Sequence, residues 1–389
     1  MMSNEPKNIK LDCLTPQTQL NLSGVKMGIS LRDTLKINSH RIDKNSGEFL
    51  TPTKIIFNYV RYVNETQLKG VDDKNKYIQT AKNLLKELKE CGFEVGEEWR
   101  GKNSHKLPYA KGNNKLSKDT VIFNVSPSSL CISKNLGLCE VCGVCYALSN
   151  ERRYINTLIY RLTQLVRFHE MSVDEIVNQF KRLRVFRFLR INESGDLFNL
   201  GDFFKVRQIA VKLWELKGVI TYFYTHRRDL WDDIKPYQTH YLKINRSGVD
   251  FITKHQIHPN HSHLFCDGEC EKCIFCKIEL NIPIDVLYHG DIDGEDLRDD
   301  ETILRDTIIK NVSWRMFEDG FDEREIEECI KYLLSNPHNV DEFDGEWDMD
   351  LIREFVCVYL SEEDGWEMIY PSILSSEFIW RYTAKKGGF

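Results

Sequence analysis

The residues with the most chemistry in them are cysteines, and they are grouped. Eight of the twelve fall in two windows: Cys131, Cys139, Cys142 and Cys145 in the first, and Cys266, Cys270, Cys273 and Cys276 in the second. In a reducing compartment, thiols grouped this closely are metal ligands rather than disulfides. The second window, C-x3-C-x2-C-x2-C, is as compact as the local run that holds a [4Fe–4S] cubane in bacterial ferredoxins. Structural zinc more often takes cysteine pairs across a longer spacer. The expectation is therefore two [4Fe–4S] clusters held by these eight residues, with zinc as the alternative metal. One zinc shared by pairs such as Cys139/Cys142 and Cys273/Cys276 stays open. Cys131 stands eight positions before Cys139, and its role decides the chemistry. If it ligates, the first cluster is closed; if it does not, one iron is open to a substrate or cofactor. Cys13, Cys91, Cys329 and Cys357 stand alone and read as small buried apolar residues. His255, His258, His261 and His263 crowd before Cys266 and read as an exposed polar loop.

A second group of polar residues follows an apolar stretch, in Asn192-Glu-Ser-Gly-Asp196. Glu193 and Asp196 are the candidate catalytic carboxylates. Ser194 and Gly195 are candidate cofactor contacts, with Gly195 free to take the positive φ of a tight turn. Arg227, between His226 and Arg228, is the candidate grip for an anion. The plainer alternative is a turn that caps the next helix, with surface cations beside it.

These groups need strands to carry them. Val121–Val125, Val185–Ile191, Val219–Thr225, Tyr241–Asn245 and Ile284–Tyr288 have strand composition, and helical spacing separates most of them. Leu148–Glu170, Ser172–Leu183 (opening on a Ser172/Glu175 capping box) and Phe203–Leu216 read as helices. Alternation of this kind implies right-handed βαβ units and a parallel sheet, with the site at the carboxyl ends of the strands. The expected fold is α/β, a partial or complete parallel barrel with cysteine-rich metal insertions and a C-terminal, acidic, α-rich region. A doubly wound sheet is the runner-up. Lys54–Val63 reads as a further strand and Tyr77–Leu88 as a helix stopped at Gly92. The expected domains are an irregular arm over 1–50, a barrel-like domain over 51–290 carrying both cysteine clusters, and an acidic helical region over 291–389. In that region Ile303–Met316, Glu325–Leu334 and Asp350–Leu360 are the expected helices.

Composition is that of a globular protein, 41% hydrophobic and 29% charged. No apolar run is long enough to span a bilayer, and the N-terminal residues show no apolar signal core, so the expected location is the cytoplasm, with no membrane partner. The charge is polarised. From Asn281 onward acidic residues outnumber basic ones 28 to 10, against an overall formal charge of −6, so the rest is basic. A basic body suits nucleic acid, a nucleotide or an acidic protein surface. The run Lys181–Arg190 interleaves cations with apolar residues, as either a phosphate-binding segment or a half-buried strand would.

In order, Gly112–Leu116, the strand leading to Cys131, Cys139…Cys145-Tyr-Ala147, Arg190–Asp196, Tyr222–Thr225 and the second cysteine run resemble the bacteriophage "gene product 88" family over about residues 110–280. That resemblance implies a phage protein working in the host cytoplasm and carries no settled activity. The Cys-x2-Cys-Tyr ending is also similar to radical S-adenosylmethionine enzymes of the spore-photoproduct-lyase-like kind. There, three cysteines after the first strand of a partial barrel hold a [4Fe–4S] cluster, and S-adenosylmethionine binds the open iron. This chain departs from their C-x3-C-x2-C spacing. Two functions therefore stand: an iron–sulfur enzyme of that type acting on nucleic acid or nucleotides, or a non-enzymatic metal-stabilised protein binding nucleic acid or a host protein.

Overall fold

The computed structural model describes residues 30–39, 50–95, 108–112, 116–140, 145–254, 256–260, 262–268, 270, 272–287, 295–318 and 320–335. They fall into two units. One comprises the chain up to Ile257 together with Asp285–Asp296; the other comprises His258–Ile284 together with the chain from Leu297. The second cysteine run thus groups with the acidic helices, not with the α/β body in which a boundary near residue 290 would have put it.

In the first unit, α1 (Leu31–Asn38) starts at Ser30, whose hydroxyl accepts from the Asp33 N–H. The helix lies inside the stretch expected to be an irregular arm; residues 1–29 and 40–49 lie outside the described residues. The segment expected as a strand from Lys54 is instead α2 (Pro52–Gln67). Its β-branched and aromatic content suggested a strand, but Thr51 caps it, Pro52 occupies its first turn, and Ile55, Ile56, Tyr59, Val60 and Val63 bury one helical face. Next, α3 (Lys74–Glu90) ends where Gly92 takes a φ of 89°.

The sheet then begins with β1 (Ala110–Lys111) and β2 (Thr120–Phe123). A short helix α4 (Ile132–Asn135) follows, then α5 (Tyr146–Arg153) and α6 (Ile155–Glu170). One continuous helix was expected over the last two; Tyr154 breaks it with extended backbone (φ −128°, ψ 103°). Helix α7 (Val173–Lys181) has the expected capping box between Ser172 and Glu175. Then come β3 (Phe188–Ile191), α8 (Leu200–Lys217, stopped by left-handed Gly218), β4 (Ile220–Thr225), the single-turn α9 (Trp231–Ile234) and β5 (Leu242–Arg246).

The fold is mixed α/β with a mostly parallel sheet. Its order is β1-β2-β3-β4-β5, antiparallel only at β1. Order in space follows order in sequence, so no reversal of the kind a doubly wound sheet needs occurs among these strands. Among the described residues β1 and β5 are edges that do not pair with each other. Right-handed crossovers that all step one way put their helices on one face. That face is apolar: Phe123, Leu189, Ile191, Phe223 and Ile244 join Leu162, Phe168, Phe180, Phe203 and Ile209 of α6, α7 and α8 in one core. The opposite face is mixed, with Ile122, Arg190, Tyr222 and Lys243 in register across β2 to β5.

After β5 come β6 (Phe251–Lys254) and β7 (Gln256–Ile257). The second unit contributes β8 (Leu264–Cys266), and the chain then runs through β9 (Ile284–Leu287) and β10 (Glu295–Asp296). Strand β9, expected as the fifth parallel strand, lies beside β6 in a separate small sheet. Adding it to the main sheet would need a helical crossover from β5, and the intervening chain forms β6 to β8 instead. In the second unit α10 (Asp300–Glu318) and α11 (Glu323–Ser335) match the expected helices and bury Ile308, Ile309, Val312, Ile326, Ile330 and Leu333. The third expected helix, Asp350–Leu360, lies outside the described residues. No helix among the described residues is long and apolar enough to cross a membrane.

Candidate functional site

Two buried carboxylates organise the carboxyl ends of β2, β3 and β4. Asp196 is 1% exposed and its two oxygens accept from the Ser133 and Thr225 hydroxyls (both 2.7 Å) and from the N–H groups of Leu197 and His226 (both 2.8 Å). Four donors fill a carboxylate's acceptor sites. Asp196, expected as a catalytic carboxylate, is thus engaged by groups from the loops after β2, β3 and β4 and ties them together. Beside it, Gly195 has a φ of 72°, and a Cβ there would lie 2.1 Å from Ser126 Oγ. No other residue fits, so the glycine serves the turn and the contact with Ser126. Asn192, also left-handed at φ 63°, accepts from the Val125 N–H at 3.2 Å.

The second carboxylate, Glu151, was not singled out from sequence. It is fully buried, accepting from the N–H groups of Ser128 and Ser129 (2.8 Å each), from Ser194 Oγ (3.0 Å) and from the Arg161 guanidinium (3.0 Å). Arg161 is 2% exposed and also donates to the Ala147 carbonyl at 2.8 Å, a reach made by the break at Tyr154. The signal was present: Arg161 falls between Leu158, Leu162 and Leu165 on the apolar stripe of α6. Ser194 joins this network through Glu151 and through Ser128 Oγ at 2.9 Å. Glu193 is half-buried, with its carboxylate 3.4 Å from Arg161 and its carbonyl accepting from the Tyr146 hydroxyl at 3.0 Å.

Arg227 does not face outward to grip an anion. Its guanidinium donates to the Leu197 and Phe198 carbonyls (2.9 and 2.5 Å) and forks onto Asp229, with Nε 2.9 Å from one carboxylate oxygen and Nη2 2.7 Å from the other. It is 2% exposed and clamps the β3 and β4 loops together. Arg228 is exposed and pairs with Glu140, the residue after Cys139, at 3.0 Å.

Described cysteines of the first run lie near these carboxylates. Cys131 precedes α4 and Cys145 precedes α5, with Cys145 Sγ 4.0 Å from Ser128 Oγ. Burial pushes the Cys131 thiol well up, and the charges of Asp196, Cys139 and Cys145 add to this. Burial also raises Cys145, with Cys139 and Glu151 adding. Burial alone would lower His226; its hydrogen bond to Cys139 and the charges of Cys139 and Asp196 leave it raised. Cys131, Cys139, Cys145 and His226 are therefore electrostatic neighbours at the strand ends. Cys142 lies outside the described residues.

The second run forms its own group. Burial pushes Cys266 up to about 12, with Cys270 and Cys276 next among the causes. Burial raises Cys273 well above its usual value, and Cys276, Cys266 and Cys270 add to it. Gly268 (φ 78°) makes the turn, and Cys270 Sγ lies 3.7 Å from the Gly268 carbonyl. Fully buried Lys277 donates to the Cys270 carbonyl at 3.3 Å. Among the described residues, no three Cys, His, Asp or Glu side chains already stand at metal-holding geometry in either unit. The described sulfurs of each set are neighbours without converging on one point. Cys329 is buried and raised to about 12 by burial, as an isolated apolar cysteine should be, and Cys91 is half-buried.

No family model, curated protein or solved structure matches this chain.

The basic run 181–190 splits by exposure. Lys181, Arg182, Arg184 and Arg187 are exposed and lead into the amino end of β3, whereas Leu183, Phe186 and Phe188 are buried. Of the run's cations, Arg190 lies within β3, on the face away from the helices.

Proposed function

We propose that this chain is an iron–sulfur protein with two [4Fe–4S] sites. The first is held by Cys139, Cys142 and Cys145, with Cys131 as the fourth ligand in its closed form; the second by Cys266, Cys270, Cys273 and Cys276. The observation that carries this is the nearness of the described thiols to one another, Cys131 with Cys139 and Cys145 in the first set and Cys266, Cys270, Cys273 and Cys276 in the second. Thiols of this number and spacing fit iron–sulfur ligation, and buried thiols resist ionisation until a metal takes the proton's place. When bound, such clusters supply one-electron chemistry. The chain's own residues position the first set: Asp196 fixes Ser133 and His226, Glu151 holds the turn before Cys131, and Arg228 tethers Glu140.

The sequential strand order supports a partial barrel with the cysteine loop as an insertion after its first parallel strand. On that reading, a radical S-adenosylmethionine-like enzyme acting on a nucleotide or nucleic acid is the sharpest form, in keeping with the resemblance to phage gene product 88 and with work in the host cytoplasm. Glu193, half-buried and 3.4 Å from the Arg161 guanidinium, is the more exposed of the two candidate catalytic carboxylates. The S-adenosylmethionine-binding form needs Cys131 to stay off the cluster and leave one iron open. The nearness of Cys131 to Cys139 and Cys145 supports the other form, a closed four-thiolate cluster that carries electrons or holds structure and does not bind S-adenosylmethionine. A second reading, structural zinc in a protein that binds nucleic acid or a host protein, is favoured by the self-contained second run, with Lys277 buried against it.

Iron and acid-labile sulfide analysis of oxygen-free protein tests the proposal. About eight irons per chain are expected for two cubanes; colourless protein with stoichiometric zinc overturns it. Cys131→Ala separates the forms: loss of one cluster means four-thiolate closure, and a retained cluster means an open iron and calls for a test of S-adenosylmethionine cleavage.

A further inference from the structure

The sheet face turned away from the helices carries a row that hydrophobic packing does not explain. Register aligns Arg190, Tyr222 and Lys243 on neighbouring strands, with Tyr224 beside Asn245 in the next row. Tyr222, Lys243 and Asn245 are buried. The Arg190 guanidinium lies 5.3 Å over the Tyr224 ring, and one terminal nitrogen is 3.3 Å from the Tyr146 hydroxyl. Its Nε is buried with no hydrogen-bond partner. Among the described residues no carboxylate forms an ion pair with Arg190; the Glu193 carboxylate reaches Arg161 instead. A desolvated guanidinium with an idle N–H is costly, and such an orphan in a native fold asks for an explanation in function or in a missing ion. At a strand spacing of about 4.8 Å, the Arg190 and Lys243 backbones stand roughly 10 Å apart, with Tyr222 between them.

We propose that this row is an oxyanion site for a small ligand carrying a phosphate or a carboxylate. Arg190 holds the anion through Nε and the adjacent terminal nitrogen, the fork that matches a two-oxygen acceptor. Lys243 supplies a second cation, and the Tyr222 and Tyr224 rings form the surface against which a flat part of the ligand lies. Tyr146, next to Cys145, orients the guanidinium and joins the row to the cysteine loop. The row names a substrate class for the proposed enzyme without depending on its metal. It also separates recognition from the exposed cations of residues 181–187, which lie toward the other end of β3.

The test is thermal unfolding of the full chain, purified without oxygen, in sodium pyrophosphate, adenosine monophosphate, methionine or sodium chloride at matched ionic strength. A ligand that binds only the folded form raises Tm. At millimolar concentration the phosphate probes, the carboxylate probe or both are expected to raise it above chloride. Stabilisation by phosphates alone assigns a phosphate ester, and by methionine alone a carboxylate. Titrated affinity should fall about tenfold or more in Arg190→Gln, which removes the charge and the fork. Lys243→Gln, expected to weaken binding likewise, carries the test if Arg190→Gln does not fold. Arg187→Ala, at an exposed position two residues before β3's inward Leu189, should bind as wild type does. The proposal is overturned if no probe stabilises the wild type, or if Arg190→Gln and Lys243→Gln both bind like it. Iron is measured in the same samples. Anion binding without iron overturns the cluster assignment alone, and iron without anion binding overturns the row alone.

Discussion

Removing the Glu151 carboxylate should be among the most damaging single changes available in the first unit. Its four donors are two backbone N–H groups, one hydroxyl and the Arg161 guanidinium, all in a site with no solvent on the glutamate. In Glu151→Ala, Arg161 stays buried with the Ala147 carbonyl and a Glu193 oxygen at 3.4 Å. Stranding one member of a buried ion pair costs about 3–5 kcal/mol. Each freed N–H adds about 1–3 kcal/mol unless water reaches it. Against a domain stability of about 5–15 kcal/mol, the expected loss is at least about 4 kcal/mol, read as a shift of the urea midpoint at constant slope. Because most of this comes from the abandoned cation, Glu151→Ala combined with Arg161→Met should be more stable than Glu151→Ala alone. A thermodynamic cycle over the four proteins measures that coupling. A single-variant loss under about 1 kcal/mol, or strict additivity in the cycle, would refute the assignment of Glu151 and Arg161 as one buried unit.

Gly195→Ala should cost roughly 3 kcal/mol or more from positive φ and the clash with Ser126 together, and a melting curve like wild type's would show the turn to be laxer than described. His169, buried and held down to about 3 by burial and then by Lys74 and Lys205, is neutral in the fold. Its folded value is below its unfolded one, so its contribution is present above about pH 6.5 and is lost as pH falls toward 3. From pH 7 to 5 this removes about 2 kcal/mol, partly offset by Asp202, whose carboxyl is raised by burial. Comparing urea midpoints at the two pH values in wild type and His169→Gln checks it: the variant should be flatter, and equal slopes would sink the account. Cys273→Ala should lower iron per chain by about half, whereas Cys329→Ala should leave iron unchanged; equal iron content in both variants would remove the second site.

Much of the sheet could be read from residue patterns. Val121–Val125, Val185–Ile191, Val219–Thr225 and Tyr241–Asn245 are dense in β-branched and aromatic residues and end in polar turns, and all four became neighbouring parallel strands. The same composition misled at Lys54–Val63, where a Thr-Pro start and one buried helical face outweighed β propensity. Gly195 was legible because its position needs a positive φ. Arg227 was not, because nothing local tells whether a guanidinium points outward or folds back onto the carbonyls of a loop 30 residues earlier. Glu151 and Arg161 were not legible as a pair, because the helical spacing predicts one continuous helix there and gives no sign of the break at Tyr154 between them. The grouping of the second cysteine run with α10 and α11 depends on long-range packing, which spacing does not encode.

The contact between Gly195 and Ser126 has a consequence for finding kin. Two loop ends meet there so closely that a single methyl group is excluded, and the serine hydroxyl bridges the backbone of the next residue in both directions. Any chain that inherits this crossing must keep a hydrogen there in place of a side chain. A paired signature, asparagine-any-serine closing one strand and asparagine-any-any-glycine-aspartate closing the next, should therefore persist after thiol spacings have drifted, and would make a sharper query than the cysteines.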